Sequence, residues 1–237
     1  MRTPRTLALI IVALVAAACG GAASVTVEPT AAPTTAAPKT VAPSTAAAPT
    51  TTVAASALSW TVSDKSKATV RVREQLAVFP LPSDAVLVAT GAKGGFSLNA
   101  DGTFSTNSKI TFDVTSLTSD SGLRDGFVKQ SVLSTRQFPT ATFVPTKAAG
   151  LLSPLASNGK FTFKLAGKLT IHGKDRDVTF DVEATRTGGD LSATATLAPT
   201  FTFEDFGMSP PEAPGRVISV VDEIHLVIDL VATGPAS

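Results

Sequence analysis

Cysteine is nearly absent. Cys19 is the one example in 237 residues, which excludes an intrachain disulfide framework and any cysteine-built zinc site. Histidine is scarce as well, and His172 and His225 leave little with which to ligate a metal or run a Ser/His triad. Neither sign of charge dominates: the chain carries a formal +1. Beyond Arg2, Arg5, Glu28 and Lys39, every charge falls after residue 57, where 17 basic residues meet 18 acidic ones. A nucleic-acid binder would show a basic stripe instead. No G-x-S-x-G, P-loop, HExxH or EF-hand pattern occurs. These absences turn the expectation away from catalysis and from any cofactor, and toward binding.

What is present divides the chain into parts. Arg2 and Arg5 precede the apolar run Leu7–Val15, and Ala16, Ala17, Ala18 and Cys19 follow. This is the order of a secretory signal over residues 1–18, with an apolar stretch too short to span a bilayer. Small residues running into a lone cysteine resemble a bacterial lipobox, although Ala16 stands where such boxes usually carry Leu. Lipidation of Cys19 is the expectation, and cleavage after Ala18 leaving a free thiol is the alternative. Between Ala22 and Ala57, 27 of 36 residues are Ala, Thr or Pro. Such a segment cannot bury enough to offset its ordering entropy, and its regular prolines stiffen it toward polyproline II. Residues 19–57 therefore read as a lipidated cysteine and a disordered tether.

Every Phe and the lone Trp60 fall in residues 58–237, enough chain for one domain with a sizeable core. Period two dominates there. Ile110, Phe112 and Val114 alternate with polar residues, as do Phe161, Phe163 and Leu165, then Leu169 and Ile171. Val178, Phe180, Val182 and Ala184 do the same. From Ile218 to Ala232 one face stays apolar, broken only at Asp222. Turn signals at Asn99–Gly102, Asn158-Gly159, His172-Gly173 and Gly188-Gly189 fit hairpin loops. Long half-buried strands joined by short turns favour an all-β antiparallel sheet closed into a barrel, since closure removes edges. Ser119–Gly122 offers N-cap residues before Leu123, Phe127 and Val128, which predicts one short helix over about 122–134 inserted between strands.

Several segments then match a known family in order. Gly167-Lys168-Leu169-Thr170-Ile171-His172-Gly173-Lys174-Asp175-Arg176 resembles the G-x-L-T-I-H-G-x-x-R segment of YceI-like, polyisoprenoid-binding, lipocalin-like proteins. Leu117–Asp120, Arg124-Asp125, Phe138–Phe143 and Asp205-Phe206-Gly207 resemble further motifs of that family. The resemblance spans roughly residues 60–232. It implies an eight-stranded lipocalin-like barrel with a short helix and a long apolar lipid in its interior, such as a polyisoprenoid or a quinone-like molecule. An early histidine of many members has no counterpart in Ala68–Glu74, and Arg136-Gln137-Phe138 lacks a second aromatic.

The apolar face keeps two readings, a packed core or a cavity lining, since eight strands enclose room for side chains or for one small ligand. Strand alternation nominates Phe96, Leu98, Ile110, Phe112, Phe143, Phe161, Phe163, Leu169, Ile171, Phe180, Val182, Phe201, Phe203 and Leu226 as lipid-binding residues. His172 reads as a turn residue and His225 as solvated. Arg124 and Asp125 read as local helix-terminus contacts, with a headgroup contact as the alternative. Adjacent residues of a strand point to opposite faces, so Glu204 and Asp205 cannot flank one bond, and Asp205 is expected to cap the turn into Gly207. The leading expectation is an exported, lipid-anchored barrel on the extracytoplasmic side of the membrane that binds or carries an apolar lipid. The rival is a ligand-free module docking a protein partner through its outer face or the 208–215 loop. A lipid-acting enzyme is a third class, for which no catalytic residue is nominated.

Overall fold

Alternating β-branched and aromatic residues suit a pleated, half-buried surface, and they form nine strands. These are β1 (Leu58–Val62), β2 (Lys67–Leu76), β3 (Ser83–Leu98), β4 (Lys109–Thr118), β5 (Thr140–Ala149), β6 (Asn158–Ile171), β7 (Lys174–Thr187), β8 (Asp190–Leu197) and β9 (Val217–Thr233). The structure is a computed structural model that describes residues 57–151 and 155–235. The predicted leader, Cys19 and the Ala/Thr/Pro-rich segment as far as residue 56 lie outside the described residues.

Antiparallel pairing runs β3-β2-β9-β8-β7-β6-β5-β4, and β4 returns to β3, so the sheet closes in a ring. The short β1 does not add a ninth position. It pairs with the far half of β3 (Leu58 opposite Leu98) and with the end of β9 (Val62 opposite Ala232). The next strand, β2, pairs with the near half of β3 and with β9 from Asp229 backward. The two strands thus lie end to end in one place of an eight-position barrel, as expected. At the break between them, the fully buried Ser66 hydroxyl donates to the Val231 carbonyl (3.1 Å) and accepts from the Val231 N–H (2.9 Å). It satisfies a stretch of β9 that neither strand reaches.

Helix α1 (Gly122–Phe127) lies between β4 and β5 and continues as a π-helical turn over Val128–Val132. Ser121 caps it, accepting from the Arg124 N–H at 3.4 Å, while the Asp125 carboxylate accepts from the Ser119 N–H (2.8 Å) and hydroxyl (2.6 Å). The His172-Gly173 turn has positive φ at both residues (51° and 71°), the combination that a two-residue hairpin between twisted strands demands. A Cβ on Gly173 would meet the Phe138 ring at 2.5 Å.

Four expectations are corrected. Asn158-Gly159 opens β6 rather than forming a hairpin loop: Asn158 pairs with Thr187, and its side chain accepts from the Gly188 N–H. Ile218 is exposed rather than inward, because two bulges in the β2–β9 pairing turn the first residues of β9. Glu204 and Asp205 lie in a 3-10 turn, Glu204–Phe206, and not in a strand. There Asp205 accepts from the Thr202 N–H (2.8 Å) and hydroxyl (3.0 Å), and the chain leaves the turn through Gly207 at φ 67°. Arg124 is the fourth, and its partner lies at the candidate site.

The candidate lipid cavity

The inward faces of the strands enclose two cavities separated by a packed waist. The smaller has a volume of about 90 Å³ and only apolar lining residues, among them Trp60, Phe96, Leu98, Phe104, Ile110, Phe143, Phe161, Phe163, Phe180 and Val182. The larger has a volume of about 710 Å³, within the roughly 300–1,000 Å³ typical of small-molecule sites. It lies at the opposite end, between β2, β3, the helical segment and the loop after the 3-10 turn. Its walls include Val70, Val72, Ala85, Leu87, Leu117, Phe127, Val132, Ile171, Phe201, Phe203, Met208, Val217 and Ile224.

The fourteen nominated residues divide between these places. Eight line the smaller cavity: Phe96, Leu98, Ile110, Phe143, Phe161, Phe163, Phe180 and Val182. Three line the larger one: Ile171, Phe201 and Phe203. Phe112, Leu169 and Leu226 line neither and are buried. Each of the last three sits between residues of its own strand that face opposite cavities. On β9, Ile228 and Leu230 face the smaller cavity and Ile224 the larger, with Leu226 between. Phe112 and Leu169 hold the same position on β4 and β6 and join the same core cluster. The waist is tightened at Gly167, where a Cβ would meet the Phe143 ring at 2.5 Å. Phe143 in turn packs edge-on against Phe180, with ring centroids 5.2 Å apart. Both sequence readings therefore hold in part, since the barrel is filled at its waist and hollow toward one end.

The mouth of the larger cavity carries one ion-pair network. The Arg124 guanidinium donates to the Glu74 carboxylate at 2.6 Å, and it also reaches Asp120. The Glu74 and Arg124 side chains are 9% and 18% exposed, whereas Asp120 is 85% exposed. Arg124 is thus no local helix contact alone; it ties α1 to β2 across the lip. Burial disfavours its charge, but the Glu74 and Asp120 carboxylates outweigh that and hold its pKa above the ordinary arginine value. Sequence reasoning missed Glu74, although it occupies the next inward position after Ala68, Val70 and Val72. A charged residue on an apolar face was the available signal.

The base of the barrel is plugged from within. Arg186 follows Val178, Phe180, Val182 and Ala184 on the inward face of β7 and is 1% exposed. It donates to the carbonyls of Gly188 (2.9 Å), Leu155, Ala156 and Pro235 (each 3.3 Å) and lies over the Trp60 ring at 5.4 Å. Asp222, the break in the apolar face of β9, accepts from the Phe203 N–H at 2.8 Å and anchors the segment that crosses toward the mouth.

The family-like motifs meet in one corner beside that mouth. His172 Nδ1 lies 3.3 Å from the Phe206 carbonyl, and its ring meets Phe138 edge-on at 4.7 Å. Phe206 is fully buried against Phe201. Arg176 approaches Asp205 at 4.0 Å, and the hydrogen bonds from Thr202 hold the Asp205 carboxyl below its ordinary pKa. His172 is a turn residue here, and His225 sits exposed 3.6 Å from Glu223. Among the described residues, no group of three His, Asp or Glu side chains converges as metal ligands.

Comparison with known proteins is consistent with this architecture. The YceI-like domain family matches residues 50–232. No curated protein matches. A polyisoprenoid-binding domain from Saccharophagus degradans, implicated in plant cell wall breakdown, superposes with a TM-score of 0.56 at 11% identity, over 75% of this chain and 99% of that one. BcnA from Burkholderia cenocepacia superposes with a TM-score of 0.50 at 23% identity, over 71% of this chain and 97% of that one.

Proposed function

Since the chain belongs to the YceI-like family, we propose that it binds or carries an apolar lipid, an isoprenoid or a related amphiphile, in the larger barrel cavity. The observation that carries this reading is the open space of about 710 Å³, walled mostly by apolar side chains, with the buried Glu74–Arg124 ion pair on its lip. A polyisoprenoid-binding neighbour of similar fold supports the ligand class. The apolar walls suit the chain of such a lipid, and the ion pair suits a hydroxyl or carbonyl at its head. Burying ten carbons at about 0.8 kcal/mol each contributes roughly 8 kcal/mol before association costs. That is about micromolar affinity, and a longer isoprenoid has more to bury. In this reading the protein acts as a binder at the cell envelope. The leader over residues 1–18 and a lipid on Cys19 would hold it at the extracytoplasmic face of the membrane, with residues 20–57 as the tether.

The test is native mass spectrometry of residues 51–237, which form one compact unit containing every described strand, with and without added geranylgeraniol. A one-to-one adduct is expected. Ala85→Trp, which places a large side chain in the cavity, should weaken uptake about tenfold or more, since the alcohol and the indole compete for the same volume. A bare mass with no uptake of the added alcohol sinks the lipid reading and leaves the ligand-free module in its place.

A further inference from the structure

Large apolar side chains exposed to water are few in this protein, and they are not scattered. Among the described residues nine are exposed, and six stand around the mouth of the larger cavity: Val78, Phe79, Leu81, Leu123, Phe127 and Ile218. Val78, Leu123 and Phe127 line the opening itself. Phe79 and Leu81 share the β2–β3 loop with Val78. Ile218 follows Val217, which lines the cavity and pairs with Leu76 at the end of β2. Val78, Leu81 and Leu123 are each more than two-thirds exposed (78%, 72% and 71%). A contiguous exposed apolar patch of this kind marks an interaction surface.

Three observations identify what the patch meets. Its loop, Ala77–Pro82, contains no charge, and it is held out rather than tucked in. The Phe79 N–H donates to the Leu76 carbonyl (3.2 Å), the Gln75 side-chain amide donates to the Phe79 carbonyl (2.7 Å), and Pro80 and Pro82 restrict the rest. On the loop facing it, the exposed Glu212 and Arg216 cancel, so no charged partner is selected. Finally, the patch surrounds the opening through which an apolar ligand must enter. The described chain enters the barrel at the other end, where Leu58 pairs with Leu98 on the wall of the smaller cavity.

We propose that this rim is a membrane-docking surface. Its apolar tips enter the interfacial region of a bilayer and set the cavity mouth against lipid, so that a ligand passes between bilayer and barrel without crossing water. An N-terminal anchor at the far end of the barrel is compatible with this orientation. The 38 residues from 20 to 57 reach about 120 Å when extended, whereas β9, with 17 residues, is about 56 Å long. The purpose of docking rests on the lipid-binding reading, but docking itself is measured separately.

The experiment spins residues 51–237 with sucrose-loaded vesicles of phosphatidylcholine, beside the triple variant V78S/F79S/L81S. These positions are exposed, so the variant is expected to melt like the parent. The parent should sediment with the vesicles, with little dependence on salt, and the variant's partition coefficient should be lower by about tenfold or more. The fluorescence of Trp60, buried at the opposite end, should not change on docking. The proposal is overturned if the parent stays in the supernatant or if the variant sediments equally. It is also overturned if sedimentation velocity without vesicles shows a dimer that the variant lacks, because a second copy then covers the rim. Geranylgeraniol uptake from solution is measured on both proteins. Failure of uptake alongside rim-dependent sedimentation removes the lipid-carrier reading and leaves the docking surface standing.

Discussion

Glu74 and Arg124 make an ion pair with one foot in an apolar cavity, and its two halves should respond unequally to removal. Arg124→Leu leaves the Glu74 carboxylate, 9% exposed, among apolar walls with no cation beside it. Stranding one member of a buried pair costs about 3–5 kcal/mol. Glu74→Leu is milder, because Arg124 is 18% exposed and keeps the solvated Asp120 as a partner. A loss of about 1.5–3 kcal/mol follows from one charged hydrogen bond. The double variant E74L/R124L removes both charges and fills their places with side chains like those already lining the cavity, so it should lie within about 1 kcal/mol of the parent or above it. The ordering expected is thus double variant, then E74L, then R124L, from most to least stable. Urea unfolding reads it directly: with a slope of about 1–3 kcal/mol per molar, R124L should lose at least about 1 M in its midpoint. If R124L is no less stable than the double variant, water at the mouth already solvates Glu74, and the argument from desolvation is wrong.

Two further outcomes follow from the same geometry. Arg186→Met keeps the apolar stem but strands the carbonyls that close the base. It should cost about 2–4 kcal/mol and shift Trp60 emission to the red as the base opens; unchanged emission would mean that the base stays shut without the guanidinium. Asp205→Ala addresses pH. Because the Asp205 carboxyl is held below its ordinary value of 3.8 by the Thr202 hydrogen bonds, its contribution is present at neutral pH and is lost as acid takes the carboxyl through its lowered folded value. The side chain is 44% exposed, so D205A should be only about 0.5–1 kcal/mol less stable at neutral pH. The two proteins should converge in strong acid, and a gap that persists there would place the effect elsewhere than in the carboxylate.

The barrel was legible because period two is a local signal. Phe161, Phe163 and Leu165 on β6 and Val178 through Ala184 on β7 could face only one way once a sheet formed. The location of the hollow was not legible, because alternation marks an inward face without saying whether it is filled. Choosing aromatics for the site favoured the end with the smaller cavity. Phe112, Phe143 and Phe180 are large enough to close the waist. The larger cavity exists where Val70, Val72, Ala85 and Leu87 stand on adjoining strands, since small side chains do not reach across. Volume, rather than apolarity, distinguishes lining from filling, and volume summed across strands requires the register. The register in turn depended on bulges, as at Ile218, that no residue announces.

Ionisable residues that break an apolar alternation carry more information than the apolar residues beside them. Glu74 continues the inward face of β2 and Arg186 that of β7, both buried, whereas Asp222 interrupts the apolar face of β9 and is exposed. A charge buried without partners is prohibitively costly, so each of these positions must lie where partners or water can reach it. Glu74 meets Arg124 at the open mouth. Arg186 meets a set of backbone carbonyls at the closed base. Asp222 takes the free N–H of Phe203, where the chain crosses from β8 toward the mouth. Strand alternation interrupted by a charge therefore marks the end of the enclosed face, and the chemistry of the partner separates an opening from a plug: side-chain ions exchange with solvent and ligand, whereas carbonyls gathered around a guanidinium leave no room for either.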